Sequence, residues 1–358
     1  MFLKVGCNFD LDLIKVIQDC NNLNDRVKVQ EIYGSDRQHA FLAARPDYRL
    51  PDISMEFLEN YISKLRDINV DFNYTLNSIM PGSLRELDTK KQDIINFVKY
   101  LQNIGVKRVT CSHPLIIELV KEHTNLKIEL STIAHIDTIT QIKFYSELGV
   151  DKICMNLLKN RDISFLKKAA EIAKQFSSYI ELMANEFCGA ASNDGESLSH
   201  CIYRDTCYIH HASNVTKEDS QLFNTYPMER CIMGRDTSMY NWLRTRFILP
   251  QDMKRYEEIG IDHFKITGRT GSTEYLKKVI EAYVNEDWSG NLLGLWKQLT
   301  TIYDDQLNDA TYEGSFYIDS SKLKNFMDRW FNENFICSDV LCGHECTYCK
   351  DYYEVNCK

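Results

Sequence analysis

The sequence predicts a (β/α)8 barrel with a long cysteine-bearing insertion after its seventh strand and a cysteine-rich C-terminal extension. Three observations carry that expectation. Short β-branched and apolar runs alternate with segments whose apolar residues recur at helical spacing, and each crossover is long enough to hold a helix. Eight such units can be counted, the number that closes a barrel. No Gly-x-Gly-x-x-Gly follows any strand, which removes the usual dinucleotide reading of an open doubly wound sheet.

The elements follow in order. Phe2 to Gly6 reads as a strand, and a helix runs through Leu11, Leu13, Ile14, Val16 and Ile17. Val27 to Tyr33 is the second strand, followed by a loop from Gly34 to Pro51 and a helix from Ser54 to Arg66. Ser54 is placed to cap that helix, since its hydroxyl can accept a free N–H of the first turn. Val70 to Leu76 is the third strand. Leu87 to Ile104 is its helix, and Gly105 takes the position of a left-handed C-cap. Val106 to Cys111 is the fourth strand, with Pro114 opening a helix. Lys127 to Ile133 is the fifth, with a helix that Gly149 ends. Lys152 to Leu157 is the sixth, Ile163 to Phe176 its helix, and Tyr179 to Ala184 the seventh. After an interruption of about sixty residues a helical pattern runs from Pro250 to Gly260. His263 to Thr267 is the eighth strand, and Thr273 to Val284 completes the barrel domain, residues 1–287.

Bulk composition narrows the class. With 358 residues, 44% of them hydrophobic, the chain can fill a core of barrel size. Aspartate and glutamate number 51 against 42 lysine plus arginine, a net charge of −9. That balance opposes bulk nucleic-acid binding, which rests on positive charge facing phosphate. The first residues show no signal peptide, and no apolar run reaches the length of a membrane span. Thirteen cysteines without a secretion signal point to a cytoplasmic, reducing setting and to metal binding over disulfides. Four of them, Cys7, Cys20, Cys111 and Cys154, sit singly in apolar runs and read as core filler, although Cys7 ends a strand.

Barrel sites form at the C-terminal ends of strands. The polar residues there are Glu31, Tyr33, Asn77, His113, Ser131, Thr132, Asn156, Glu181, Asn185, Glu186, Lys265, Thr267 and Arg269. Cys188 follows on the insertion, residues 186–247, with Cys201, Cys207 and Cys231 at gaps of twelve, five and twenty-three residues. Those gaps fit no short zinc knuckle, so a metal or iron–sulfur centre would need the fold to bring the thiolates together. Four unrelated buried thiols are the alternative. Arg45, Arg235 and Arg269 are candidates to grip a carboxylate or phosphate bidentately, unless they form rim salt bridges. Glu31 and Glu181 are candidates for proton transfer or for pairing with those arginines. Residues 288–358 form the extension: a helix from Leu292 to Leu299, a strand near Ser315 to Ile318, a helix from Ser321 to Trp330, then Cys337, Cys342, Cys346, Cys349 and Cys357. The Cys342-x3-Cys346-x2-Cys349 spacing equals that of radical S-adenosylmethionine enzymes, but it stands behind the last strand rather than after the first. A second cluster or a zinc knuckle closed by Cys337 or Cys357 fits better, with His344 able to replace one thiolate.

Several of these pieces together resemble the family historically labelled peptidase U32. They are Glu31-Ile-Tyr-Gly34 with Phe41 and Arg45, and Ser131-Thr132 with the helix to Gly149. The third is Phe264-Lys-Ile-Thr-Gly-Arg269 before Glu274-Tyr275. The fourth is Glu186-Phe-Cys-Gly189 with Met228-Glu-Arg-Cys231. The resemblance spans roughly residues 1–285. It implies a [4Fe–4S] cluster on Cys188, Cys201, Cys207 and Cys231, and oxygen-independent hydroxylation with prephenate as the oxygen donor; other members are described as collagenase-like proteases. It also implies a second U32-like subunit as a partner in some cases. Thr267 stands where the family signature has glutamate, His210 and His211 are unusual in the cysteine loop, and the tail cysteines are no part of the common core. Neither His-Glu-x-x-His nor Gly-x-Ser-x-Gly is present, which leaves a Cys207–His210 or Cys207–His211 pair as the one peptidase arrangement. The sequence therefore reads as an iron–sulfur hydroxylase acting on a small molecule or peptide, with a U32 peptidase or a non-catalytic cluster-bearing subunit as alternatives.

Overall fold

The computed structural model describes residues 1–45, 47–79, 81–186, 238–296 and 317–357. Eight strands close into a parallel barrel in sequence order: β1 (Phe2–Gly6), β2 (Lys28–Gly34), β3 (Asp71–Leu76), β4 (Arg108–Cys111), β5 (Lys127–Leu130), β6 (Lys152–Cys154), β7 (Tyr179–Met183) and β8 (His263–Ile266). β1 pairs with both β2 and β8, which completes the ring. The crossover helices are α1 (Asp12–Leu23), α2 (Met55–Asp67), α3 (Leu84–Asn103), α4 (Pro114–His123), α5 (Ile139–Glu147) and α6 (Ile163–Gln175). Between β7 and β8 lie α7 (Tyr240–Arg244) and α8 (Met253–Glu258), and α9 (Thr273–Val284) follows β8. The expected strands and helices of the barrel all form.

Local chemistry sets the boundaries. Ser54 Oγ accepts the Phe57 N–H at 3.1 Å and starts α2. Ser83 and Glu86 form a reciprocal capping box, so α3 begins three residues before the apolar pattern does. Gly105 and Gly149 end their helices at φ of +96° and +93°, where a Cβ would be strained. The fifth strand stops at Leu130 rather than Ile133, because the Ser131 hydroxyl accepts the Ile133 N–H and folds the chain into a 3-10 turn.

Outward residues such as Leu3, Val5, Ile32 and Ile153 are buried against the helices, each worth roughly 1.5–3 kcal/mol of transfer free energy. The extension joins the same apolar core through Trp288, Trp296, Phe326 and Trp330. Within the described residues it shows a 3-10 turn at Leu292–Leu295, an antiparallel bridge between Asn291 and Asp319, and a 3-10 turn at Ser320–Leu323 before α10 (Asp328–Asn332). The end of the expected helix at Leu299 and the start of the expected strand at Ser315 lie outside the described residues. A final helix, α11 (Tyr348–Asn356), was not anticipated; it packs against α7. Among the described residues no helix is long and apolar enough to cross a membrane.

Candidate functional site

The inside of the barrel is charged. Lys4 on β1 reaches Glu129 on β5 and Glu181 on β7, a set of contacts that only inward-pointing side chains can make. Lys152 lies 2.5 Å from Glu31, 3.1 Å from Glu181 and 3.4 Å from Glu129. Arg108 donates to Glu31 at 2.6 Å. Asn73 donates to Glu129 at 3.0 Å and accepts from Thr110 at 2.7 Å. Three carboxylates are thus matched by three cations. Burial alone would raise the glutamates, but Lys152, with Arg108 and Lys4, holds Glu31 down at about 2. Lys152, Lys4 and Lys265 likewise hold Glu181 below its ordinary value against the same opposing burial. Glu31 and Glu181 therefore pair with this lattice and not with Arg45 or Arg269, which corrects that expectation, and both are ionised.

Above the lattice stands Tyr33, with Lys265 Nζ 4.3 Å and Lys4 Nζ 5.6 Å from its ring centre. Burial opposes the Lys265 charge, yet Tyr33, Cys154, Glu129 and Glu181 raise its pKa above the usual lysine value. Arg45 and Arg269 flank the same tyrosine, both half-buried. Burial and the neighbouring guanidinium of Arg269 push Arg45 below its ordinary value, although arginine keeps its charge at any physiological pH. Among the described residues no carboxylate lies within salt-bridge distance of Arg45, Lys265 or Arg269; Glu186 attracts Arg45 from farther away. The backbone builds this cradle. A Cβ on Gly6 would meet the Arg269 backbone nitrogen at 2.8 Å, so glycine is what lets the β8 loop close over β1. Asn77 accepts from Ala44 N at 3.1 Å and donates to Ser131 Oγ at 3.3 Å, tying the Arg45 loop to the ends of β3 and β5.

The other strand-end residues are structural. His113 caps α4, Asn156 accepts from Leu158 N, and Thr132 donates to Met155 O. Thr267 bonds Asn185 through both backbone and hydroxyl, so the departure from the family glutamate serves to lock β7 to β8. Sequence reasoning missed Lys4, Arg108, Glu129 and Lys152, and it placed Cys154 in the apolar core. Cys154 instead faces inward, its sulfur within 4.8 Å of carboxylate oxygens of Glu129 and Glu181. That trio does not suit a metal ion: Lys4 and Lys152 already bind the carboxylates, and burial pushes the Cys154 thiol up to about 12, so it stays protonated. Burial likewise raises Cys7 to about 12.

Cys188, Cys201, Cys207, Cys231, His210, His211 and Arg235 lie outside the described residues. The described chain leaves the mouth at Glu186 and resumes at Ser238. A set of four thiolates without an acid among them is the donor chemistry that iron–sulfur ligation uses. In the extension, Cys337, Cys342, Cys346 and Cys349 line one pocket with Arg244, Arg246 and Trp330, while Cys357 and His344 do not line it.

Fold and site define the class: a (β/α)8-barrel protein whose mouth gathers Arg45, Lys265 and Arg269 around a tyrosine, with no salt-bridge partner among the described residues. The chain belongs to Peptidase family U32, whose family profile matches residues 42–288. It is 27% identical over 305 residues to the uncharacterized protease MJ1657 of Methanocaldococcus jannaschii, covering 84% of this chain and 81% of that protein. The solved structure of the U32 peptidase Mk0906 superposes with a TM-score of 0.50 at 13% identity, over 75% of this chain and 92% of that one. That likeness shows the fold alone.

Proposed function

We propose that this chain is an iron–sulfur enzyme that binds an anionic small molecule or peptide at the barrel mouth and hydroxylates its substrate without oxygen gas. The observation that carries the reading is the cradle of Arg45, Lys265 and Arg269 around Tyr33. Cations that no described carboxylate pairs, held in a partly desolvated site, favour a ligand bearing carboxylates, and two guanidinium groups can each take one in bidentate fashion. Prephenate, with two carboxylates, has that chemistry as an oxygen donor. A [4Fe–4S] cluster on Cys188, Cys201, Cys207 and Cys231 would supply one-electron chemistry. The chain's own residues bind and orient: the arginines fix the anion, Tyr33 presents a ring face and a hydroxyl, and Lys265 stabilises negative charge next to it. The ionised Glu31 and Glu181 are committed to lysines below, so neither is free to donate a proton at neutral pH.

The relatives' names favour a peptidase as the second reading. That reading needs an activated nucleophile, and burial keeps Cys7 and Cys154 protonated. The test is calorimetric titration of anaerobically purified protein with prephenate, alongside product analysis under nitrogen. Arg45→Ala with Arg269→Ala should weaken binding at least tenfold, the more so at low salt. Unchanged affinity in the double variant defeats the cradle, and peptide cleavage that survives removal of iron puts the peptidase first.

A further inference from the structure

The four tail cysteines that share a pocket are brought there by three separate segments. Cys337 lies in a short turn after α10, Cys342 and Cys346 flank a tight bend closed by Gly343 N to Cys346 O at 2.9 Å, and Cys349 opens α11. No three of their sulfurs fall within 4.8 Å of one another. A single zinc held at about 2.3 Å by four thiolates would bring the sulfurs within about 4 Å of each other. A cube of irons keeps them farther apart, and no three of these sulfurs meet the zinc spacing.

The second observation is charge. Arg246 lines the pocket and is 3% exposed, and Arg161 behind it is 1% exposed. Arg161 spends one nitrogen on Leu243 O at 2.8 Å and lies 4.6 Å from the Trp330 ring. Among the described residues its Nε and Nη2, and the Nε of Arg246, have no hydrogen-bond partner, and neither side chain has a carboxylate partner. Asp252 attracts Arg161 only from beyond salt-bridge distance, and its own charge is opposed by burial. Two buried guanidinium groups without a paired carboxylate among the described residues would cost several kcal/mol. Four thiolates around a cluster carry the missing negative charge.

We infer that Cys337, Cys342, Cys346 and Cys349 bind a [4Fe–4S] cluster whose charge is balanced by Arg161 and Arg246. This assignment does not rest on the proposed hydroxylase activity. With Cys337 as a fourth thiolate no iron is left open, so the cluster does not bind S-adenosylmethionine in spite of the Cys342-x3-Cys346-x2-Cys349 spacing. Trp330 Nε1 donates to Cys337 Sγ at 3.1 Å and orients it. The site also closes the molecule: Cys349 Sγ lies 3.7 Å from Leu243 O, on the helix α7 that receives the chain back from the cysteine insertion.

The test uses the full chain purified without oxygen, with iron, sulfide and zinc measured per chain. In a variant carrying serine at Cys188, Cys201, Cys207 and Cys231, about four irons and four sulfides should remain, and Cys342→Ser with Cys346→Ser should remove them. Should that background not fold, the tail double substitution in the otherwise native chain should remove about four irons and four sulfides per chain, whatever iron the rest of the chain holds. Cys357→Ser should leave the iron in place. Arg246→Met should lower the midpoint potential of the tail cluster seen by electron paramagnetic resonance after dithionite reduction, a shift that a merely structural arginine would not cause. Zinc without sulfide at the tail, iron indifferent to the tail substitutions, or iron lost in Cys357→Ser overturns the assignment.

Discussion

Lys152→Met should destabilise the protein by about 4 kcal/mol at pH 8, and the loss should shrink as the pH falls. The magnitude comes from the lattice. Lys152 is 3% exposed and is shared by Glu31, Glu181 and Glu129. Removing one partner of a buried ion pair typically costs about 3–5 kcal/mol, because the charge left behind is uncompensated. Here the variant leaves three carboxylates facing Lys4 and Arg108, an excess of one negative charge. Lys265 lies close enough to relieve part of it, which keeps the value inside that range rather than above it.

The pH dependence follows from the same contacts. In the native protein Glu31 and Glu181 sit below their ordinary value of 4.5, with Lys152 the largest influence against burial. Their contribution is therefore present above about pH 4.5 and lost only as the pH falls toward 2. In the variant burial prevails, the carboxyl pKa rises above 4.5, and the folded state takes up a proton that the unfolded state does not. Its relative stability then improves between pH 8 and pH 5. Urea unfolding followed by tryptophan fluorescence at the two pH values reads both effects. Adding Glu129→Gln should recover most of the loss by restoring neutrality. A cost under about 1 kcal/mol at pH 8, or an equal cost at both pH values, refutes the lattice as an electrostatic unit.

Two further predictions concern single groups. Asp252 is 5% exposed, and burial, with Asp328 nearby, raises it to about 7 against the opposing pull of Arg255 and Arg161. Its stabilising contribution is complete below its unfolded value of 3.8 and disappears as the pH rises through 7. Asp252→Asn, which mimics the protonated acid, should therefore leave stability at pH 4 unchanged and raise it by up to about 4 kcal/mol at pH 8; denaturant midpoints across that range check it. Ser54→Ala should cost about 1 kcal/mol through loss of the α2 cap, and thermal unfolding that does not move would deny the cap its role.

The barrel was legible because its outward residues are apolar and its helices carry caps and glycine stops. Ser54, Gly105, Pro114 and Gly149 act where their chemistry places them. The charged interior was also written in the strands, as Leu3-Lys4-Val5, Ile128-Glu129-Leu130, Ile180-Glu181-Leu182 and Phe264-Lys265-Ile266. In each, one charge is flanked by apolar neighbours, and period-two alternation points it into the barrel. Single strands cannot show that Lys4 meets Glu129, since that contact spans 125 residues and exists only once the ring closes. Cys154 was misplaced for the same reason: beside Ile153 it looks apolar, and only register shows that it faces Glu181. The helix expected from Ser321 to Trp330 was overdrawn: a 3-10 turn at Ser320–Leu323 and α10 divide that stretch, and Leu323, Phe326 and Trp330 join the barrel core without a continuous helix. Convergence of Cys337 with Cys342, Cys346 and Cys349, by contrast, was foreshadowed by proximity in the chain.

Neutrality in the lower barrel is what makes the mouth positive. Had Lys4, Lys152 and Arg108 lacked Glu31, Glu129 and Glu181, the barrel centre would repel the cations above it, and Lys265 would lose its charge to burial. Because the lattice is balanced and Glu129 and Glu181 act on it from below, Lys265 is stabilised as a cation while keeping no salt-bridge partner among the described residues. Arg45 and Arg269 add charge at the rim, where partial desolvation strengthens any bond to an arriving carboxylate. The chain as a whole carries a net charge of −9, so its long-range field does not recruit anions; beyond about 8 Å at physiological salt that field is screened in any case. On the proposed reading, selectivity for an anion would therefore reside in the few ångströms around Tyr33, with the buried carboxylates positioning Lys265 for it.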